Sequence, residues 1–341
     1  MGSGTSASVR PAGRLACQPV STRSDWPTAR LHVVTGKGGT GKTTVAAAIA
    51  LALAADGKRT LLVEVEGRQG IAQLFDVPPL PYEERKIGSA PRRGEVWALA
   101  VDAEEALLDY LEMFYRLGRA GKILKRFGAI DFATTIAPGV RDVLLTGKVK
   151  ESVTRMERGH RRYDAVVLDA PPTGRIGRFL NVTSEVAGLA KVGPIKTQSD
   201  GVAAVLHSPL TAVHVVTLLE EMPVQETADA IAELGELSLP VGTVVVNQVR
   251  EPRLAGTKVS QAELRRGLTA VGLPVDKPTL TALVEEATDY RSRVELEQRL
   301  QGELEALERP MLRLPFLPDG VDLGGLYELA ETLIEQGVQR A

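Results

Sequence analysis

The chain has 341 residues, 44% hydrophobic and 25% charged, with a formal net charge of −2. That balance fits a soluble globular protein and gives no overall pull toward nucleic acid, and 4% aromatics gives no platform for stacked bases. The single cysteine, Cys17, excludes an intramolecular disulfide, a cysteine-held zinc and an iron–sulfur cluster, and the four histidines show no metal-ligand spacing.

Residues 1–29 are rich in Gly, Ser, Thr, Ala and Arg and lack the apolar core of a signal peptide. They read as a disordered tail ahead of one domain over 30–341. Strands are predicted at LHVVT (31–35), TLLVEV (60–65), VWALAVD (96–102), DAVVLDA (164–170), AVHVVT (212–217), GTVVVNQ (242–248) and RLPFLP (313–318). They are nearly continuous in apolar character, as parallel strands covered on both faces require. Helical segments alternate with them, so the expected fold class is α/β: a doubly wound, mostly parallel sheet flanked by helices. The longest apolar run, TTVAAAIALALAADG, is too short to span a membrane, and a cytoplasmic location follows.

Two stretches break the rhythm. Residues 103–158 hold no good strand and carry Leu107, Leu108, Leu111, Phe114 and Tyr115 at helical spacing. Residues 180–208 form a second insertion, with KVGPIKTQSDG as a polar, partly basic loop. Both leave strand ends, where α/β proteins place functional loops. Further on, Ser260 and Glu263 make a capping-box pattern, a charged helix is expected from about 280 to 307, and a last helix near 321–337.

The chemistry concentrates after the first strand. Gly36-Lys37-Gly38-Gly39-Thr40-Gly41-Lys42-Thr43 satisfies GxxxxGK[ST], directly after a strand and before an alanine-rich helix, and Thr44 joins these residues as a candidate nucleotide contact. Glycines let successive N–H groups turn toward phosphate oxygens, and the helix adds its positive end. Lys42 is placed for the β- and γ-phosphates and Thr43 for magnesium. An NTPase needs a second acid on another strand, and YDAVVLDAPPTG supplies Asp169, acting on the metal through water. Pro172, Thr173 and Gly174 then form a candidate γ-phosphate sensor. The guanine-reading NKxD signature is absent. Asn247, at the end of a buried strand, either reads an adenine edge with its amide or serves as a cap or turn residue.

KGGTGKTT resembles the deviant Walker A loop, KGGxGK[ST], of the ArsA/Get branch of P-loop ATPases, which includes arsenite-pump and tail-anchored-protein targeting ATPases. DAPPTGRIGRFL (169–180) is similar to that branch's DTAPTGHTLRFL, APGVRD (137–142) to PGxxE, MPVQET (222–227) to PxxET and VVVNQ to VVNQ. LPFLPDGVDLGGL (314–326), with Pro315 and Phe316, looks like the branch's adenine-side loop. The matches run from 31 to about 327, and together with EVEGRQGIAQLFDVPPLPY they look most like actinobacterial ArsA-like, anion-transporting ATPases.

The resemblance implies Mg-dependent ATP hydrolysis by a dimer, with Lys37 reaching the nucleotide of the other subunit. One loop per chain then calls for a partner, a second copy or a related ATPase subunit. It also places Glu66 where the branch has the water-positioning Asp of DPAH, one methylene longer, so turnover is expected to be slow. Arg175 stands where the branch has His. Arsenite capture needs thiolates, which the domain lacks, and the zinc-binding CxxC pairs of the eukaryotic members are missing too. The expectation is a nucleotide-driven surface for a client, a membrane protein being one class. A low-turnover ATP-binding scaffold is the alternative. A ParA- or MinD-like positioning ATPase fits less well, because the chain ends in the acidic LYELAETLIEQGVQRA and shows no basic surface for DNA.

Overall fold

From Val45 to Ala54 every residue of α1 (Lys42–Ala54) is buried. A helix of Ala, Leu, Ile and Val that is apolar all round can be stable in water only when covered on all sides. The computed structural model, which describes Trp26 and residues 28–115, 138–181, 194–252 and 260–339, shows what covers it. The expected tail up to residue 25 and residues 116–137 and 182–193 of the two insertions lie outside the described residues.

The sheet has β1 (Leu31–Gly36), β2 (Arg59–Glu64), β3 (Arg85–Ala90), β4 (Gly94–Ala100), β7 (Ala165–Asp169), β8 (Thr211–Thr217), β9 (Val241–Val249) and β10 (Met311–Pro315). Their order is β10-β9-β8-β1-β7-β2-β4-β3. All pairs are parallel except β3 with β4. Side chains alternate between two cores. Val34, Leu62, Val167, Val216 and Val245 face α1, which is sealed beyond by Leu326, Leu329, Ala330 and Leu333 of α10 (Leu323–Glu335). Leu31, Val33, Leu61, Val63, Val166 and Leu168 face the opposite layer. That layer holds α3 (Ala103–Tyr115), α4 (Pro138–Thr154), α5 (Thr173–Leu180), α6 (Pro194–Leu206) and α7 (Glu221–Glu236). Burial on both faces is why the strands read as unbroken apolar runs.

The seven predicted strands are present, and the structure adds what polarity concealed. β3, RKIGSA, is an edge strand with only Ile87 and Ala90 turned inward, so it lacks the apolar signature. The expectation of no strand over 103–158 is corrected at its end: Met156–Glu157 (β5) pairs with His160–Arg161 (β6) in an exposed hairpin. PIKTQSDG, expected as loop, opens α6. Beyond β9, α8 (Gln261–Ala270) starts on a complete Ser260–Glu263 capping box, and α9 runs from Lys277 to Glu305. α2 (Gly70–Leu74) is one short turn after β2. At the far edge of the sheet, the Gln336 side chain accepts from the Arg313 N–H at 2.9 Å and donates to the Arg313 carbonyl at 2.8 Å.

Trp26, ahead of β1, also belongs to the packed fold. Trp26 is buried and stacks on His214 and His32, with ring centres 4.2 and 5.1 Å away. His214 Nδ1 accepts the Thr243 N–H at 3.1 Å, so its proton sits on Nε2, which faces His32 Nδ1 at 3.1 Å. Burial, with His32 beside it, holds the His214 pKa well below 6.5. The unfolded chain therefore takes up a proton that the folded chain refuses. This contribution to stability is complete above pH 6.5 and is lost as pH falls below it. Melting temperature is expected to drop between pH 7.5 and 5, and a His214→Gln variant, though less stable at pH 7.5, is expected to show a shallower acid-side drop.

Candidate nucleotide and metal site

β1 delivers the chain into the loop at the sheet centre, and the loop's shape is enforced by contact. A Cβ on Gly36 would run into the Val216 carbonyl of β8. Gly41 has φ 84° and a Cβ there would lie 2.5 Å from Asn247 Nδ2, so both backbone and space demand glycine. Gly38 and Gly39 border open space, and at Gly39 only the backbone, at φ 89°, favours glycine. The Lys37 carbonyl gathers the loop: Thr40 Oγ1 donates to it at 2.9 Å and Lys42 Nζ at 3.3 Å.

The first intrahelical bond of α1 runs from Val45 N–H to the Gly41 carbonyl. The amides of Lys42, Thr43 and Thr44 therefore precede the helical ladder, and no side chain caps them. Beside them stands Asp169, at the end of β7 and in register with Val34 of β1. Thr43 Oγ1 donates to Asp169 Oδ2 at 2.7 Å, while the buried Oδ1 has no partner among the described residues. Burial raises the Asp169 pKa to about 6, the Thr43 bond and Lys42 pull it down, and the charges of Glu64 and Glu66 push it up. Burial likewise lowers the Lys42 pKa, with Asp169 and then Glu66 opposing.

These groups fit the ligands that the loop motif calls for. Open helix amides and Lys42 suit phosphate, and the Thr43 hydroxyl and unpartnered Asp169 oxygen suit a hard divalent cation, which takes oxygen ligands. Among the described residues no three or more His, Cys, Asp or Glu side chains are placed together to hold a metal ion, so phosphate and water oxygens would complete the shell.

Around this centre the other expected residues divide. Glu66 faces it from the chain after β2 but is held by two arginines, Arg68 at 3.4 Å and Arg175 at 3.5 Å. Glu66, Arg68, Arg141, Asp142, Pro171 and Arg175 line a cavity of about 100 Å³. Thr35 Oγ1 donates to the Pro171 carbonyl at 2.7 Å, tying the end of β1 to the start of the Pro172–Arg175 segment, the candidate switch II. Pro172 is the N-cap of α5, Thr173 its first residue, and Gly174 is exposed in its first turn. Lys37 leaves the loop the other way: its Nζ lies 2.8 Å from Glu226 Oε1, both side chains about one-third exposed (31% and 33%). Glu226 Oε2 also accepts from Thr173 Oγ1 at 3.3 Å. One α7 carboxylate thus touches both the loop and switch II.

Asn247 is buried, and its amide is engaged inside the protein. Nδ2 donates to the Thr40 carbonyl at 2.9 Å and Oδ1 accepts the Gln248 N–H at 2.9 Å. The geometry makes it a brace for the loop. Pro315 is in register with Val249, Phe316 N–H donates to the Val249 carbonyl at 2.9 Å, and the Arg250 guanidinium stacks 4.0 Å over the Phe316 ring. β9 and β10 therefore bring Asn247, Pro315 and Phe316 to the loop's end of the sheet. Sequence reasoning missed two acids. Glu226 was legible as the acid of the PxxET-like segment. Glu64 stood out only as a lone carboxylate inside the apolar TLLVEV strand, a local pattern that does not say what it faces.

The profile of the family described as anion-transporting ATPase matches residues 29–210, more than half of the chain. This stretch contains the loop, Glu66, Asp169 and Arg175. The chain belongs to the anion-transporting ATPase family. ATPase BagA of Mycobacterium tuberculosis is 54% identical over 327 residues, covering 92% of this chain and 96% of that protein. ATPase GET3 of Kluyveromyces lactis is 26% identical over 261 residues, 65% of this chain and 72% of that one. The arsenical pump-driving ATPase of Acidiphilium multivorum is 26% identical over 323 residues, 86% of this chain but 53% of that protein. No helix among the described residues is long and apolar enough to cross a membrane.

Asn247→Ala leaves the Thr40 carbonyl without its donor. Removing one partner of a buried hydrogen bond costs about 1–3 kcal/mol. A stability loss of that order is expected in urea denaturation.

Proposed function

We propose that this chain binds ATP with magnesium at its P-loop and hydrolyses it slowly as a dimer, the nucleotide state opening and closing a surface for a client. The observation that carries the reading is the convergence of Lys42, Thr43 and Asp169 at the uncapped first turn of α1, with one Asp169 oxygen left without a partner among the described residues.

In this reading the amides of residues 39–44 and the Lys42 ammonium hold the phosphates in place. Thr43 and, through water, Asp169 hold the metal, which when bound neutralises charge on the transferring phosphoryl group. The Asn247 brace keeps the loop open to phosphate oxygens. Glu66 orients the attacking water. Its ion pairs with Arg68 and Arg175 oppose free reorientation and favour slow turnover, the observation that also supports a low-turnover scaffold. Phe316, Pro315 and Asn247 border the base.

Lys37 supplies the cation in trans to charge that develops on the neighbour's nucleotide. In the single chain Glu226 holds it, so dimer formation exchanges this carboxylate for phosphate. The same exchange frees Glu226 from one of its two partners and is felt by Thr173 of switch II. Arsenite is not the expected cargo, because Cys17 is the only thiol in the chain and a soft metalloid requires thiolates. The client surface is assigned to the helical layer of α3, α4 and α6, with a partner-mediated approach to a membrane as one use.

Lys42→Ala is expected to abolish ATP binding in isothermal titration calorimetry, and retained binding with full hydrolysis would sink the assignment. Lys37 is tested by complementation. Lys37→Ala and Glu66→Gln proteins are each expected to be inactive, and mixing them is expected to restore turnover, because the Glu66→Gln subunit lends its Lys37 to the intact Glu66 site. Mixed dimers with no recovered activity, or a chain that stays monomeric with ATP at every concentration, would refute action in trans.

A further inference from the structure

The proposed mechanism leaves one buried carboxyl group without a task. Glu64 closes β2 and is 3% exposed, yet among the described residues neither of its carboxylate oxygens has a hydrogen-bond or ion-pair partner. An ionised carboxylate taken out of water without a donor or counter-ion is strongly disfavoured.

Its position says what it faces. Side chains alternate along a strand, and Leu62, two residues earlier, packs in the core on the α1 side. Glu64 therefore points to the α1 side as well. On β7 the same alternation puts Val167 and Asp169 on that side. Glu64 and Asp169 are register partners on neighbouring parallel strands, whose backbones lie about 4.8 Å apart. The Glu64 charge is among the influences on the Asp169 carboxyl. Two carboxylates thus end side by side beneath the first turn of α1, where Thr43 already bonds the outer oxygen of one of them. Three carboxylate oxygens, Glu64 Oε1 and Oε2 and Asp169 Oδ1, are buried in this place without donors among the described residues.

We propose that Glu64 is a second carboxylate of the divalent-cation site, holding with Asp169 the hydration shell of the ion that Thr43 ligates. This rests on the nucleotide-and-metal reading above and extends it to a residue outside the loop motif. A hydrated Mg²⁺ or Mn²⁺ offers water protons to all three oxygens at once and supplies the positive charge that two adjacent carboxylates require. Outer-shell partners of this type change metal affinity strongly without touching the nucleotide.

The test separates metal from nucleotide. Mn²⁺ binding to the protein–ADP complex is measured by electron paramagnetic resonance, and ADP binding in EDTA by calorimetry, for wild type, Glu64→Gln and Glu64→Asp. Removing an outer-shell partner lowers metal affinity about 10-fold or more, and that loss is expected for Glu64→Gln with ADP affinity in EDTA unchanged. Glu64→Asp, which keeps the charge but withdraws it, is expected to fall between the two. If Glu64→Gln does not fold, Glu64→Asp alone decides: reduced Mn²⁺ affinity supports the assignment. Wild-type Mn²⁺ affinity in the variants that fold, with ADP still bound, overturns this inference and leaves the nucleotide reading standing. Failure of the wild type to bind ADP overturns both.

Discussion

A hydroxyl at the start of a buried helix and a carboxylate at the end of a central strand meet at 2.7 Å, and the rest of the architecture serves that meeting. α1 cannot tilt, because apolar packing surrounds it from Val45 onward. β7 cannot slide, because it is hydrogen-bonded to β1 on one side and β2 on the other. The Thr43–Asp169 contact is therefore fixed by two elements of the core and not by the flexible parts of the loop. Preorganisation of this kind lets a site bind charge without first paying to rearrange itself.

Around this rigid centre lies a layer of exchangeable ionic contacts. Glu66 is shared by Arg68 and Arg175, and Lys37 is held by Glu226, which also takes the Thr173 hydroxyl. Partly exposed ion pairs of this kind contribute little to stability, so breaking them costs little. The division is physical: the central contact is bonded to sheet and buried helix, and the groups at the rim are bonded to one another.

The sequence carried the strands and the loop plainly, since burial on both faces writes long apolar runs and a phosphate loop writes glycines beside Lys-Thr. β3 was hidden because an edge strand such as RKIGSA turns only Ile87 and Ala90 inward. The α6 opening was hidden because PIKTQSDG is composed like a loop. At the site, Lys42, Thr43 and Asp169 were named from the motif and the strand end. The brace from Asn247 to Thr40 was not, because it links positions 207 residues apart and depends on β9 lying two strands from β1. Glu64 was overlooked for a related reason: its meaning comes from the residue beside it on β7, which no local pattern contains.

The Gln336 side chain has a consequence for assembly. A primary amide has the same donor and acceptor as a peptide unit, and here it is paired with both polar groups of Arg313 on the outer side of β10. It acts as a one-residue false strand that ends the ladder. On the opposite edge, β3 presents Arg85 and Lys86, whose charges discourage a neighbouring backbone from docking. With both margins of the sheet blunted, edge-to-edge pairing of one copy's sheet with another's is disfavoured.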